Sequence, residues 1–344
     1  MKIAELVELG RIAYREIPVP NPGPGEMLVK TQAVGLCGTD VKAYFRGHPY
    51  FSPPCVLGHE FAGTVAALGE GVERFKVGDR IVAAPYVECG NCELCKRGLG
   101  ELCTNKAFID GAFKEFILLP RLIVERATFR LDAEVDFATG SLAEPLACAY
   151  NGIEKAGINP GDRVLVIGAG PMGVMLALLA KSRGASVIVS EISPERLVAA
   201  RQLELDVISP DTNGLAEQLE ERWGRADADR VLVAVGSRAV FEDGFNFAAA
   251  GGRVLLFGGL PKGDKVCVDA FKVHYREISL VGSFGFNLRQ FQQAVSWLND
   301  NSSLAKRVIT HNVPFPELTR AFELAKDAKE LKIVVDFAEQ EEDQ

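Results

Sequence analysis

The sequence predicts an α/β protein in which a doubly wound parallel sheet is joined to a second, β-rich unit. Three observations predict it. From about residue 150, short apolar strands alternate with helices of ten to twelve residues, the pattern of a parallel sheet covered on both faces. Before that point, short apolar runs are broken repeatedly by turn residues such as Pro18, Pro20, Pro53-Pro54, Gly69, Gly71 and Gly78. Between the first strand and the first helix of the alternating part stands a G-x-G-x-x-G turn.

The elements follow in order. Residues 27–34 read as an early strand, and Gly78-Asp79-Arg80 as a turn feeding a buried strand over 81–85. In the alternating part, strands are expected at 163–167, 186–190, 230–235, 253–257 and 278–281. Helices are expected at 173–183, 193–204, 214–223 and 241–250, the second opened by Ser193 as N-cap and Pro194 at the first helical position. From residue 288 the texture changes again: a helix at 288–299, a strand at 308–310, a helix at 317–326 and a last strand at 332–337. This tail is assigned to the first unit, so the expected domains are 1–145 with 288–344, and 146–287.

Composition narrows the function. The chain has 344 residues, 48% of them hydrophobic, enough for two cores. No apolar run approaches the roughly 18 residues of a membrane span. Met1–Leu6 carries an acid early and lacks the apolar stretch of a signal peptide, so a cytoplasmic protein is expected. The net charge of −8 is interleaved along the chain, which argues against a nucleic-acid surface. The acidic end over 339–344 reads as a solvated tail.

Four of the eight cysteines, Cys89, Cys92, Cys95 and Cys103, fall in a C-x2-C-x2-C-x7-C pattern, which favours metal over disulfides. Four thiolates close a tetrahedral zinc site, so this ion is expected to be structural and to hold a lobe at about 86–104. Glu88, Glu93 and Glu101 balance Lys96 and Arg97 there, unlike a nucleic-acid-binding ribbon. Cys55 and Cys267 lack partner spacing and read as packing residues; His274 and His311 read as structural.

The glycine turn comprises Gly168, Gly170, Pro171, Met172 and Gly173. It follows a strand, opens a helix and meets Glu191 at the end of the next strand, the context of a dinucleotide site. A carboxylate there accepts from the ribose hydroxyls and repels a 2′-phosphate, so NAD is expected over NADP. Arg196 lies just beyond, on the next helix.

Gly58-His59-Glu60-Phe61-Ala62-Gly63, followed by Gly69 and Val72, carries a signature. With Cys37-Gly38-Thr39-Asp40, the cysteine lobe, Gly111–Phe116 and the glycine turn, the whole chain resembles the zinc-containing medium-chain dehydrogenase/reductase family of the alcohol dehydrogenase superfamily. The resemblance implies a GroES-like catalytic domain and a Rossmann NAD-binding domain. It implies a catalytic zinc on Cys37, His59 and an acid, either Glu60 or Glu144. Glu144 stands where the ethanol-type branch has Cys, as in the polyol (sorbitol-like) and threonine dehydrogenase branches. Cys148 nearby reads as a small buried hydrophobe. Thr39 matches the hydroxyl that takes the alcohol's proton. Lys42 stands where the family usually passes that proton to a His, which leaves Lys42 itself, His48 or water to carry it. Val235, Gly258 and Ser283 are carried as further cofactor contacts.

The implied reaction is transfer of a hydride from a secondary alcohol, a polyol or sugar alcohol, to NAD, giving the ketone. A threonine 3-dehydrogenase is the alternative. It ranks second because Leu146-Ala147-Cys148-Ala149 departs from that branch's Gly-Asn-Ala-Val run. An inert NAD- and zinc-binding protein is disfavoured by the retention of Cys37, His59 and Glu60. The short connection from Cys103 to Gly111 predicts a roomy pocket, with Thr39, Phe45, Phe108 and Phe284 as candidate lining. The resemblance also implies a homodimer or homotetramer paired through the strand at 278–281.

Overall fold

A computed structural model describes residues 1–210 and 214–337. The acidic end over 339–344 lies outside the described residues. The chain forms two compact units, Met1–Ala147 with Phe286–Gln344, and Cys148–Gly285.

The first unit is built mainly of antiparallel strands. β1 (Lys2–Glu8) pairs with β2 (Arg11–Glu16) and with the short β4 (Cys55–Val56). The larger sheet is centred on β3 (Met27–Gly35), which is buried along most of its length, with Lys30 exposed. β5 (Glu60–Leu68) lies beside it, then β6 (Arg80–Ala83) and β10 (Thr128–Arg130). β9 (Phe116–Leu119) also pairs with β3, and β7 (Tyr86–Val87) pairs with β8 (Ala107–Phe108) near the cysteine lobe. The chain returns late: β18 (Lys332–Asp336) joins β3 antiparallel, and β17 (Ile309–Pro314) joins β18 in parallel. The strand expected at 308–310 is thus the start of a longer one.

The second unit is a six-stranded parallel sheet of β11 (Arg163–Ile167), β12 (Ser186–Ser190), β13 (Asp206–Ile208), β14 (Ala228–Val233), β15 (Ala248–Leu256) and β16 (Ser279–Gly282). The spatial order is β13-β12-β11-β14-β15-β16. Renumbered from one within the unit, that is 3-2-1-4-5-6, the dinucleotide-binding order whose switch point lies between β11 and β14. The core is made by the inward faces of these strands, including Leu165, Ile188, Val231, Val233 and Val254, against Phe241 and Phe245 of the helix Arg238–Asn246.

That helix corrects one expectation. Residues 248–250 are strand, not helix: Ala248 is in register with Ala228, whose N–H bonds to Phe247 O. Alanine favours helix, but the bonds and burial offered by β14 override a propensity of a few tenths of a kcal/mol. The helix Ala143–Ala156 was unforeseen; Pro145 in its first turn reads as a breaker although the first turn tolerates proline. Two cysteines also differ from expectation: Cys267 is exposed, and Cys148, on the helix Ala143–Ala156, is only half-buried.

Candidate active site

The helix Gly38–Arg46 begins with Cys37 as its N-cap. Cys37 Sγ accepts from Thr39 N at 3.4 Å, and Asp40 Oδ2 accepts from Cys37 N at 3.1 Å, so cap and third residue bond reciprocally. The motif turns Asp40 inward, where it is 0% exposed. Its Oδ1 accepts from Gly58 N at 3.0 Å and lies 3.5 Å from His59 Nδ1. Burial works to raise the Asp40 pKa, but the His59 charge and the bonds from His59, Gly58 and Cys37 hold it below the ordinary carboxylate range. Burial likewise works to lower that of His59, yet Asp40 and Cys37 outweigh it and push it well up. With Nδ1 facing Asp40, Nε2 is the nitrogen free to take a metal.

Sheet register brings the remaining groups in. Gly35 at the end of β3 is paired with Glu60 of β5 on one side and with Val334 of β18 on the other. Two residues before Val334, the fully buried Lys332 pairs its ammonium with the Glu60 carboxylate and donates to Leu36 O at 3.1 Å. A Cβ on Gly35 would overlap Glu60 Oε2 and stand 3.0 Å from Lys332 Cε, so only glycine fits between them. Burial works to lower the Lys332 pKa, but Glu60, Cys37 and Glu144 together raise it.

The ligand atoms of Cys37, His59 and Glu60 lie within 4.8 Å of one another. Glu144, 8% exposed in the first turn of the helix Ala143–Ala156, is not in that group; its charge reaches Lys332. Of the two candidate acids, the structure therefore gathers Glu60 and leaves Glu144 outside the three-donor cluster. A soft thiolate, an imidazole and a carboxylate fit zinc.

Thr39 is half-buried beside Cys37, and Lys42 is exposed on the same helix. His48 Nδ1 accepts from Tyr50 N at 3.3 Å, and its ring lies against Tyr50 and Phe51. Burial and the Lys42 charge lower its pKa against the pull of Asp40. Phe45 packs edge-on against Tyr44, while Phe108 and Phe284 are exposed.

The four lobe cysteines also lie within 4.8 Å of one another. Sulfur–sulfur separations are 3.4 Å for Cys92–Cys95, 3.5 Å for Cys89–Cys103, 3.8 Å for Cys92–Cys103 and 4.0 Å for Cys89–Cys95. Four Zn–S bonds of about 2.3 Å at tetrahedral angles put sulfurs about 3.8 Å apart, so the cage has the size of one zinc. Backbone and thiol hydrogen bonds lower the Cys92 pKa to about 6, whereas burial and its neighbours raise that of Cys95 to about 12. Arg126 ties the lobe down by donating to Glu88 O at 2.9 Å.

In the second unit, every expected cofactor residue on a strand end falls at a carboxyl edge. Gly168 follows β11, Glu191 follows β12, Val235 lies just past β14, Gly258 past β15 and Ser283 past β16. Pro171, Met172 and Gly173 form the first turn of the helix Pro171–Ser182, with Gly170 as its N-cap. A Cβ on Gly173 would overlap Gly168 O, so helix and strand approach as closely as they do only through glycine. Glu191 differs in detail from expectation. Its Oε2 accepts from Ala169 N at 2.8 Å, and its Oε1 from Ile192 N at 2.7 Å and Ser193 N at 2.9 Å. It fastens the glycine turn to the next strand, leaving one of about four acceptor positions for a ribose. The Arg196 guanidinium lies over the turn, Nη1 being 3.5 Å from where a Gly170 Cβ would stand.

Sequence reasoning missed Asp40 as the partner of His59, and Lys332 and Gly35 altogether. Asp40 was visible as an acid three residues after a helix-capping Cys. Lys332 carried one signal, a lysine opening the otherwise apolar run Ile333-Val334-Val335.

A parallel-sheet dinucleotide fold beside a β-rich unit bearing two metal-ligand clusters defines a metal-dependent dehydrogenase. Residues 23–126 match the alcohol dehydrogenase GroES-like domain, and residues 171–300 the zinc-binding dehydrogenase domain. The chain is 34% identical to an L-galactonate-5-dehydrogenase of Escherichia coli, covering 91% of each chain. It is 35% identical to a D-altritol 5-dehydrogenase of Agrobacterium fabrum over 94% of this chain and 95% of that one. A sorbitol dehydrogenase of Halalkalibacterium halodurans is 32% identical over 95% and 96%. Among solved structures, one described as a zinc-binding dehydrogenase of Sinorhizobium meliloti bound to NADP superposes with a TM-score of 0.86 at 30% identity, covering 97% and 98%. One described as a short chain alcohol dehydrogenase of Escherichia coli, complexed with NADH, gives 0.86 at 27% identity, covering 98% and 99%. The chain belongs to the zinc-binding alcohol dehydrogenase family.

Proposed function

We propose that the protein is a zinc-dependent, NAD-linked dehydrogenase that oxidises a secondary alcohol of a polyhydroxy compound to the ketone. The observation that carries this reading is the Cys37–His59–Glu60 cluster, its acid buried and the other two half-buried, in a chain that also holds a dinucleotide turn. Zinc, when bound, acts as a Lewis acid that makes an alcohol acidic near neutral pH. The chain's own residues do the rest. Asp40 fixes the His59 ring, Lys332 holds the Glu60 carboxylate, and Thr39 supplies the hydroxyl beside Cys37 that receives the alcohol's proton. Gly168–Gly173 and the N-terminus of the helix Pro171–Ser182 hold the pyrophosphate of the nicotinamide cofactor.

Relatives are named for an aldonate, an alditol and sorbitol, which supports a substrate of the polyhydroxy class. The residues after Glu144 favour this over threonine. The eight free cysteines fit a reducing compartment such as the cytoplasm. No helix among the described residues is long and apolar enough to cross a membrane. A second copy of the chain is the natural cover for β16, an edge strand with Leu280 39% exposed. The function is tested by following NADH formation with a panel of alditols, aldonates and L-threonine. Turnover of polyols fits the reading, and turnover of threonine alone contradicts it.

A further inference from the structure

Asn151 stands in the interior of the helix Ala143–Ala156 and is 0% exposed. Ala147, Ala149, Ile153 and Ala156 around it on the helix are buried and apolar. Asparagine favours caps and turns over helix interiors, and a buried amide is costly without partners. Its partners lie far along the chain. Asn151 Nδ2 donates to Gly285 O at 3.0 Å and to Phe284 O at 3.3 Å. Among the described residues, no backbone N–H donates to either carbonyl. Both carbonyls belong to the turn that follows β16, where Gly285 has a φ of +58°. Asn151, Phe284 and Gly285 all lie in the second unit. Phe284 is exposed and Gly285 has no side chain, so packing of these two residues does not fix the turn. Asn151 does.

The strand order gives that turn a place in the cofactor site. A doubly wound sheet of this order consists of two mononucleotide-binding halves, and the acid after the second strand marks the adenosine half. Here that half is β11–β13 with Glu191, so the carboxyl edge of β14–β16 receives the other nucleotide, the one carrying the nicotinamide. Ser283, Phe284 and Gly285 follow the last strand of that half directly. Outside the ladder a backbone has no neighbouring strand to hold its polar groups, and the Asn151 amide takes that part. Building on the dehydrogenase reading above, we infer that Asn151 is a positioning residue for the nicotinamide half of the cofactor, acting through the 283–285 backbone. The adenosine half, served by the glycine turn and Glu191, does not depend on it.

The experiment separates the two halves of the cofactor. NADH and ADP-ribose, which lacks the nicotinamide, are titrated calorimetrically into the wild type, Asn151→Ala and Asn151→Leu. The leucine variant keeps most of the side-chain volume and removes only the donor. Loss of the two hydrogen bonds predicts a Kd for NADH about tenfold or more higher in both variants, with the Kd for ADP-ribose within about twofold of wild type. Unchanged NADH binding overturns the inference, because the turn then keeps its place without Asn151. Equal weakening of both ligands, or loss of both, also overturns it and makes Asn151 a residue of the fold alone. A wild type that binds neither ligand overturns the dehydrogenase reading itself, and this inference with it.

Discussion

Cys37, Thr39, His59 and Glu60 stand out in the sequence because each belongs to a short motif in which chemistry and local backbone coincide. The Cys that caps a helix also belongs to the three-donor cluster, and the acid three residues on both completes the cap and faces the imidazole. Lys332 was not legible in this way. It lies 272 positions from Glu60, and only the β3–β5 and β3–β18 registers bring the two together across Gly35. Two outcomes follow at this scale. Glu144→Ala should retain the full zinc content, since Glu144 is outside the three-donor cluster; loss of about one ion per chain in metal analysis would make it a ligand. Lys332→Met should leave Glu60 buried without its cation, at a cost of about 3–5 kcal/mol in the metal-free protein. Zinc should offset part of that cost, so thermal melts of this variant should show a larger gain on zinc addition than the wild type shows.

At the scale of elements, strands and helices of the second unit were readable because period and turn chemistry agree there. The exception, 248–250, is instructive: three alanines prefer helix locally, but parallel pairing to Ala228 and burial against the sheet decide the outcome. The glycine turn tests close packing directly. Gly173→Ala would force Gly168 O away from the helix, and its effect should appear as loss of NADH binding by fluorescence titration, with at least about a tenfold rise in Kd. Unchanged binding would show that helix and strand do not need that approach. The pairing proposed through β16 predicts an oligomer for the wild type and a monomer for Leu280→Arg in light scattering, whereas the same mass for both would contradict it.

At the scale of the molecule, the alternation of strands and helices announces the parallel sheet. The return of β17 and β18 to the first sheet is a long-range pairing that no local pattern encodes. Acid sensitivity is also a property of the whole. Asp229 at the start of the parallel sheet has its pKa raised by burial but lowered more by hydrogen bonds from the Arg163 side chain and N–H. A folded pKa below the unfolded value of about 3.9 gives stability that is present above that value and lost as pH falls through the folded one. Asp229→Asn should therefore lower the melting temperature more at about pH 6 than at about pH 3. An equal loss at both would rule out the linkage.

The central claim is that Cys37 and His59 hold a zinc that the reaction needs, separate from the ion in the cysteine lobe. It is tested most directly by zinc content measured alongside NADH formation from sorbitol and gluconate in the wild type and Cys37→Ser. About two zinc ions per chain and turnover in the wild type, against about one ion and no turnover in the variant, is the predicted result. A variant that keeps both ions and its activity would contradict it.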